Sequence, residues 1–86
     1  MAHEDRDAIF EYVARDSPAA ALALDEAFEA KAQMACQHPK LYRIGRTRGT
    51  REIVVRSNYV MVYRIDAETI TILRVLHAAQ QWPSAK

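Results

Sequence analysis

The chain is expected to fold as an α+β domain, an N-terminal helical hairpin packed on a C-terminal three-stranded antiparallel meander. Three observations lead there. Residues 51–83, REIVVRSNYVMVYRIDAETITILRVLHAAQQWP, hold three short runs rich in β-branched and aromatic residues, separated by two polar turns. Residues 2–37 instead carry apolar side chains at three- and four-residue spacing, with no glycine among them. Ser17-Pro18 divides that stretch in two, with a good N-cap residue followed by the one residue suited to the first helical position.

Each element follows from local chemistry. The first helix is expected over about residues 2–15. Ile9 and Val13 are four apart, and Glu4, Asp5 and Asp7 lie near the start, where carboxylates suit the positive end of the helix dipole. The second is expected over 18–37, with Ala21, Leu24, Phe28, Ala32 and Ala35 as its buried stripe and His38-Pro39 as its stop. A connection this short makes the pair an antiparallel hairpin. Strands are expected over about 51–55, 59–65 and 71–77. Lys40–Thr50 reads as a loop holding Arg43, Arg46 and Arg48 together with both glycines, a cationic segment suited to phosphates or carboxylates or simply to solvent.

Eighty-six residues make one domain, 1–86, with a small core. Half the residues are apolar, but 15 of those are alanines that bury little area, so a tight partner would add stability by mass action. Net charge is +1, yet the halves differ: residues 1–39 carry eight acids against three bases, and residues 40–86 nine bases against three acids. Such asymmetry suits an interaction surface. Cys36 is the only cysteine, which excludes an internal disulfide framework and fits a reducing cytoplasm. No apolar run approaches a membrane span. His3, His38 and His77 are too scattered to suggest a metal site, and no glycine-rich phosphate loop is present, so no cofactor is expected.

Register decides which residues share a face of the meander. A three-residue turn, Arg56-Ser57-Asn58 with Asn58 left-handed, pairs Val55 with Tyr59 and Ile53 with Met61. If the next loop spans 66–70, Tyr63 faces Leu73 and Met61 faces Val75. One face then holds Ile53, Val55, Tyr59, Met61, Tyr63, Leu73 and Val75 without a charge. The other holds Glu52, Val54, Val60, Val62, Arg64, Ile72, Arg74 and Leu76. Burying Arg64 unpaired would cost several kcal/mol, so the first set is expected beneath the helices. A helical hairpin covers one face only. The second is therefore expected to stay bare, aliphatic at its centre and charged at its rim, which marks a binding surface for a partner or for a second copy.

The order helix–helix–meander resembles the RelE/ParE toxins of bacterial type II toxin–antitoxin modules. The strings that carry the similarity are EDRDAIFEYVA, HPKLYRIGRTRGTREI, NYVMVYRI and ILRVLHAAQQWP, which together span Glu4 to Pro83. Members of that family open with a β-strand ahead of the first helix. Here that strand is expected to be missing, with either a start further upstream or a bare sheet edge as the consequence.

The resemblance implies two different activities. Its RelE-like branch cleaves messenger RNA on the ribosome, chemistry that needs clustered cations and acid–base groups on the open sheet face. Positions where that branch carries basic residues correspond here to Val54, Val60 and about Ala78. What remains is Glu52, Arg64, Arg74 and His77, with Glu52 as a base and His77 as an acid. Simpler roles for the two are a rim ion pair of Glu52 with Arg64 or Arg74, and a structural histidine at the edge of the covered face. The similarity is therefore to the ParE-like branch, which poisons DNA gyrase and carries no nuclease residues, so no catalytic residue is assigned. It implies a cytoplasmic hetero-oligomer with a cognate antitoxin lying over Val54, Val60, Val62, Arg64, Ile72, Arg74 and Leu76. Arg46, Arg48, Arg74, Gln80, Gln81 and Trp82 are the expected target contacts, Trp82 having packing on the helices as its other role. A ribosome-dependent endoribonuclease and a non-toxic binding module derived from such a toxin are the alternatives.

Overall fold

A computed structural model describes residues 2–56, 58–67 and 69–77. Helix α1 runs Ala2–Ala14 and helix α2 Pro18–Gln37, and after them come strands β1 (Arg43–Ile44), β2 (Arg51–Val55), β3 (Tyr59–Asp66) and β4 (Thr69–His77). The strands form one antiparallel sheet in the order β1-β2-β3-β4. The sheet thus has four strands where the sequence suggested three, because residues 43 and 44 of the arginine-bearing loop pair with Glu52 and Arg51.

The helical hairpin forms as its sequence dictates. Ser17 is extended and its hydroxyl accepts from the Ala20 N–H at 3.1 Å, capping α2 ahead of Pro18. Ala21, Leu24, Phe28 and Ala35 are buried along one stripe of α2. Helix α1 is held differently. None of its residues is fully buried, and Ile9 and Val13 only lean on the core. Ion pairs supplement that packing: Arg6 binds Asp25 at 2.9 Å and Glu29 at 3.2 Å on α2.

The main core lies between α2 and one sheet face, joining Leu24, Phe28 and Ala35 to Ile53, Val55, Met61, Tyr63 and Val75. Each large side chain here contributes about 1.5–3 kcal/mol by leaving water. Tyr63 is fully buried, and its hydroxyl donates to the Pro39 carbonyl, tying the end of the hairpin to the sheet.

The first turn has the expected length, since Val55 pairs with Tyr59 and Ile53 with Met61. Among its described residues the left-handed one is Arg56, with φ 56°, rather than Asn58. A three-residue connection needs such a step, and Arg56 makes one directly after β2. The second turn is shorter than expected. Asp66 pairs with Thr69, leaving residues 67 and 68 between the strands, and Ala67 has φ 53°. Asp66 anchors it, accepting from Thr71 Oγ1 at 3.0 Å and Arg64 Nε at 2.8 Å.

That tight turn changes the faces. Met61 pairs with Val75 as expected, but Tyr63 lies opposite Ile72 instead of Leu73, with a bulge between. One extra residue on β4 exchanges the two side chains. Ile72 packs on the helix-side core, while Leu73 joins Val60, Val62 and Leu76 on the opposite face.

Candidate functional site

The second sheet face and the loop leading into β2 hold most of the residues that sequence reasoning marked for function. Three rows cross this face: Arg43–Glu52–Val62–Arg74, Val54–Val60–Leu76, and Arg64–Thr71. It is not bare. Val60, Val62 and Leu76 are 4%, 0% and 3% exposed and form a second small core with Leu73, leaving only Val54 exposed among the expected aliphatic set. The register gives part of the reason. Glu52 with its arginines flanks Val62 on one side and Arg74 on the other, and the bulge adds Leu73 to the same face.

Glu52 is the centre of the polar half, only 2% exposed. Its Oε1 binds Arg43 Nη2 at 3.1 Å, and its Oε2 accepts from the Arg46 backbone N–H at 2.9 Å and from Arg46 Nε at 3.3 Å. Burial pushes this carboxyl up, yet the Arg46 N–H and the two guanidinium groups outweigh it and hold it below the usual carboxylate value. The expected rim pair of Glu52 with Arg64 or Arg74 does not form. Its partners come from β1 and the loop because β1 pairs beside Glu52, while Arg64 binds Asp66 at 2.8 Å.

The loop between β1 and β2 closes tightly over this carboxylate. The Gly45 N–H donates to Thr50 O at 2.7 Å, and the Thr50 N–H and hydroxyl both donate to Thr47 O, at 3.1 and 2.6 Å. A Cβ on Gly45 would lie 2.2 Å from Thr50 Oγ1, so any other residue there would force Thr50 to shift, and Gly49 supplies the left-handed step at φ 83°. Arg43 and Arg46 remain 58% and 51% exposed, and Arg48 is exposed without a hydrogen bond or ion pair to any described residue.

Arg74, expected to face a partner, is turned to the edge of the sheet. Its Nε and Nη2 bind the Asp5 carboxylate at 2.7 and 3.1 Å, and the same carboxylate accepts the Val75 N–H at 3.0 Å. Sequence reasoning saw Asp5 only as a helix-dipole residue. It also satisfies an outward-facing N–H of the edge strand β4, so part of the edge thought to be bare is covered by α1. No sequence pattern marks that pairing, which joins residues 70 positions apart.

The two acid–base candidates are separated. His77 pairs with Tyr59 on the helix side, the rings edge-to-face at 5.3 Å, and it lines a cavity of about 350 Å³ with Ala8, Ile9, Tyr12 and Tyr59. Glu52 points to the other face. Among the described residues, no three His, Cys, Asp or Glu side chains gather where they could hold a metal ion. Gln80, Gln81 and Trp82, along with Ala78, lie outside the described residues.

Comparison with known proteins decides the family. The family model for the ParE toxin of the type II toxin–antitoxin system parDE matches residues 1–82. This chain belongs to the ParE toxin family. Y4kP, a toxin candidate of Sinorhizobium fredii, is 36% identical to it over 78 residues, which span 90% of this chain and 80% of that protein. The chromosomal ParDE toxin–antitoxin system from P. aeruginosa provides a solved chain with the same fold, at a TM-score of 0.75 and 22% identity, covering 88% of this chain and 86% of that one. The chain is thus a ParE-type toxin of a type II toxin–antitoxin system, and membership of the ParDE family implies an antitoxin partner. No helix among the described residues of this ParE protein is long and apolar enough to cross a membrane.

Proposed function

We propose that this ParE protein inhibits DNA gyrase and is neutralised by its cognate antitoxin in a cytoplasmic hetero-oligomer. The observation that carries the reading over mRNA cleavage is the placement of Glu52 and His77 on opposite faces of the sheet. One RNA strand cannot be gripped by both at once, and in-line attack on phosphate needs the base at the attacking hydroxyl and the acid at the leaving oxygen of the same phosphorus. Glu52 is a poor base besides, committed to two arginines and held below its ordinary pKa. Val54 and Val60 supply no charge at positions where the RelE-like branch carries basic residues.

Antitoxin contact falls to the part of the second face that stays exposed, Val54 and Arg64, and to the unpaired edge of β1 with Ile44 and, just ahead of the strand, Leu41, which are 70% and 61% exposed. Val60, Val62 and Leu76 are already buried, and Ile72 faces the helices, so none of these four carries the contact. Arg46 and Arg48 are retained as target contacts, whereas Arg74 is engaged by Asp5. An antitoxin covering the loop would then silence the toxin by occupying its target surface.

The experiment is a supercoiling assay with purified gyrase run beside in vitro translation. Inhibited supercoiling with intact translation is expected, and the reverse overturns the proposal. Normal growth of cells expressing the chain alone, with gyrase unaffected, would assign it instead to non-toxic binding modules.

A further inference from the structure

The loop between β1 and β2 is built around a buried charge, and that construction suggests a use. Residues 40–52 carry five cations, Lys40, Arg43, Arg46, Arg48 and Arg51, against one carboxylate, Glu52. A solvated basic loop needs no buried acid at its base. Here Glu52 takes a backbone N–H and two guanidinium groups, Gly45 and Gly49 allow a turn that a side chain would crowd at the first and strain at the second, and Thr50 clips the loop shut. Holding a loop in one conformation before binding removes the entropy cost of ordering it on contact.

We propose that this loop is a preformed dock for an acidic, leucine-bearing segment of the antitoxin, with Arg48 as its principal contact and Glu52 as the residue that positions it. The inference rests on the toxin–antitoxin reading and adds the address. Three features favour a peptide over nucleic acid. Leu41 and Ile44 are exposed, Ile44 on the face of β1 opposite Arg43, offering apolar area that a phosphate backbone does not use and that alternate residues of an added strand would meet. Strand β1 is the end of the sheet, and among the described residues no strand pairs with its outer side, so an extended peptide finds backbone partners there. Glu52 also removes part of the charge that would draw a polyanion without discrimination, and orients the guanidinium groups that remain. The electrostatics suit the occupant: carboxylates meet Arg48 and the free sides of Arg43 and Arg46, and aliphatic side chains meet Leu41 and Ile44.

Arg48→Ala tests the contact without endangering the fold, since Arg48 bonds to no described residue. The probe is a short fluorescein-labelled peptide rich in Glu with spaced leucines, titrated at several salt concentrations, beside a DNA duplex of matched charge. Arg48→Ala is expected to weaken peptide binding about fivefold and to flatten its salt dependence, and Arg48→Lys to restore most of the loss. Glu52→Gln keeps an acceptor for the Arg46 N–H but releases the guanidinium groups. In that background, with folding checked by circular dichroism, Arg48→Ala is expected to cost less than about twofold, because the loop carrying Arg48 is no longer pinned through the Arg43 and Arg46 side chains. Wild-type binding by Arg48→Ala overturns the dock. An equal Arg48→Ala effect in both backgrounds overturns the positioning role of Glu52, and tighter binding of the duplex overturns the occupant. The gyrase assay, run on the same preparations, reports separately on the toxin reading.

Discussion

Asp5→Ala should loosen the whole of α1, and the structure allows the size of the effect to be worked out. Helix α1 has no fully buried residue, so apolar packing alone holds it weakly. Its link to the sheet edge is the Asp5 carboxylate, which accepts Arg74 Nε at 2.7 Å, Arg74 Nη2 at 3.1 Å and the Val75 N–H at 3.0 Å. Hydrogen bonds to charged groups are worth roughly 1.5–3 kcal/mol where water is excluded. Here the two side chains are 22% and 15% exposed, so solvent screening takes each bond below that range, to about 0.7 kcal/mol, and the three together stabilise by about 2 kcal/mol. For a domain of this size that corresponds to a fall of about 10 °C in Tm. Thermal unfolding followed by far-UV circular dichroism measures it, and hydrogen exchange should show α1 amides opening before those of α2. Arg74→Ala should cost a similar amount, with the double variant well short of additive. A Tm within about 2 °C of wild type for Asp5→Ala, a change of roughly half a kcal/mol, would refute the reasoning, as would strict additivity of the pair.

Three further outcomes follow from the site. Glu52 has a folded-state pKa below its unfolded value, so its contribution is present above the unfolded value of about 4.3 and is lost as pH falls through the folded one; urea denaturation from pH 7 to pH 3 should show a shallower acid decline for Glu52→Gln, although Asp66, also lowered, keeps some slope. Val62→Asp places a carboxylate at a position 0% exposed and should destabilise the isolated protein by at least about 3 kcal/mol, seen in its denaturation midpoint before any partner is added. Gly45→Ala meets Thr50 Oγ1 at 2.2 Å and should cost about 1–3 kcal/mol, with Thr50→Ala in the same chain recovering part of it, read from Tm.

Much of this fold is legible before folding because it depends on short-range pattern. Ser17 and Pro18 start α2 by local capping, and the stripe from Ala21 to Ala35 falls on one side at any helix of that period. The pairing of Val55 with Tyr59 follows from a three-residue turn and from keeping Arg64 off the helix-side core. The same strings also carry the resemblance to the ParE family that the family model bears out. The errors begin where one extra residue matters. The period-two pattern of β4 reads equally well in either phase, since Ile72 and Leu73 are both aliphatic, and only the two-residue turn at Ala67 selects the bulge that puts Ile72 inward.

The candidate site was legible in its residues and not in its partnerships. Glu52, Arg46 and Arg48 stood out from the sequence by charge and by the nearby glycines, whereas the binding of Glu52 to Arg43 and Arg46 depends on a two-residue strand too short to leave a pattern. The pairing of Asp5 with Arg74 is longer in range still. By itself the sequence determined the helical hairpin, the meander and the kin of this chain, because those rest on periodicity and composition that each segment carries alone. Tertiary structure decided which charges are spent and which remain available. It also decided that Val60, Val62 and Leu76 are interior. A buried ion pair or a covered valine exists only when residues distant in the chain arrive at the same place.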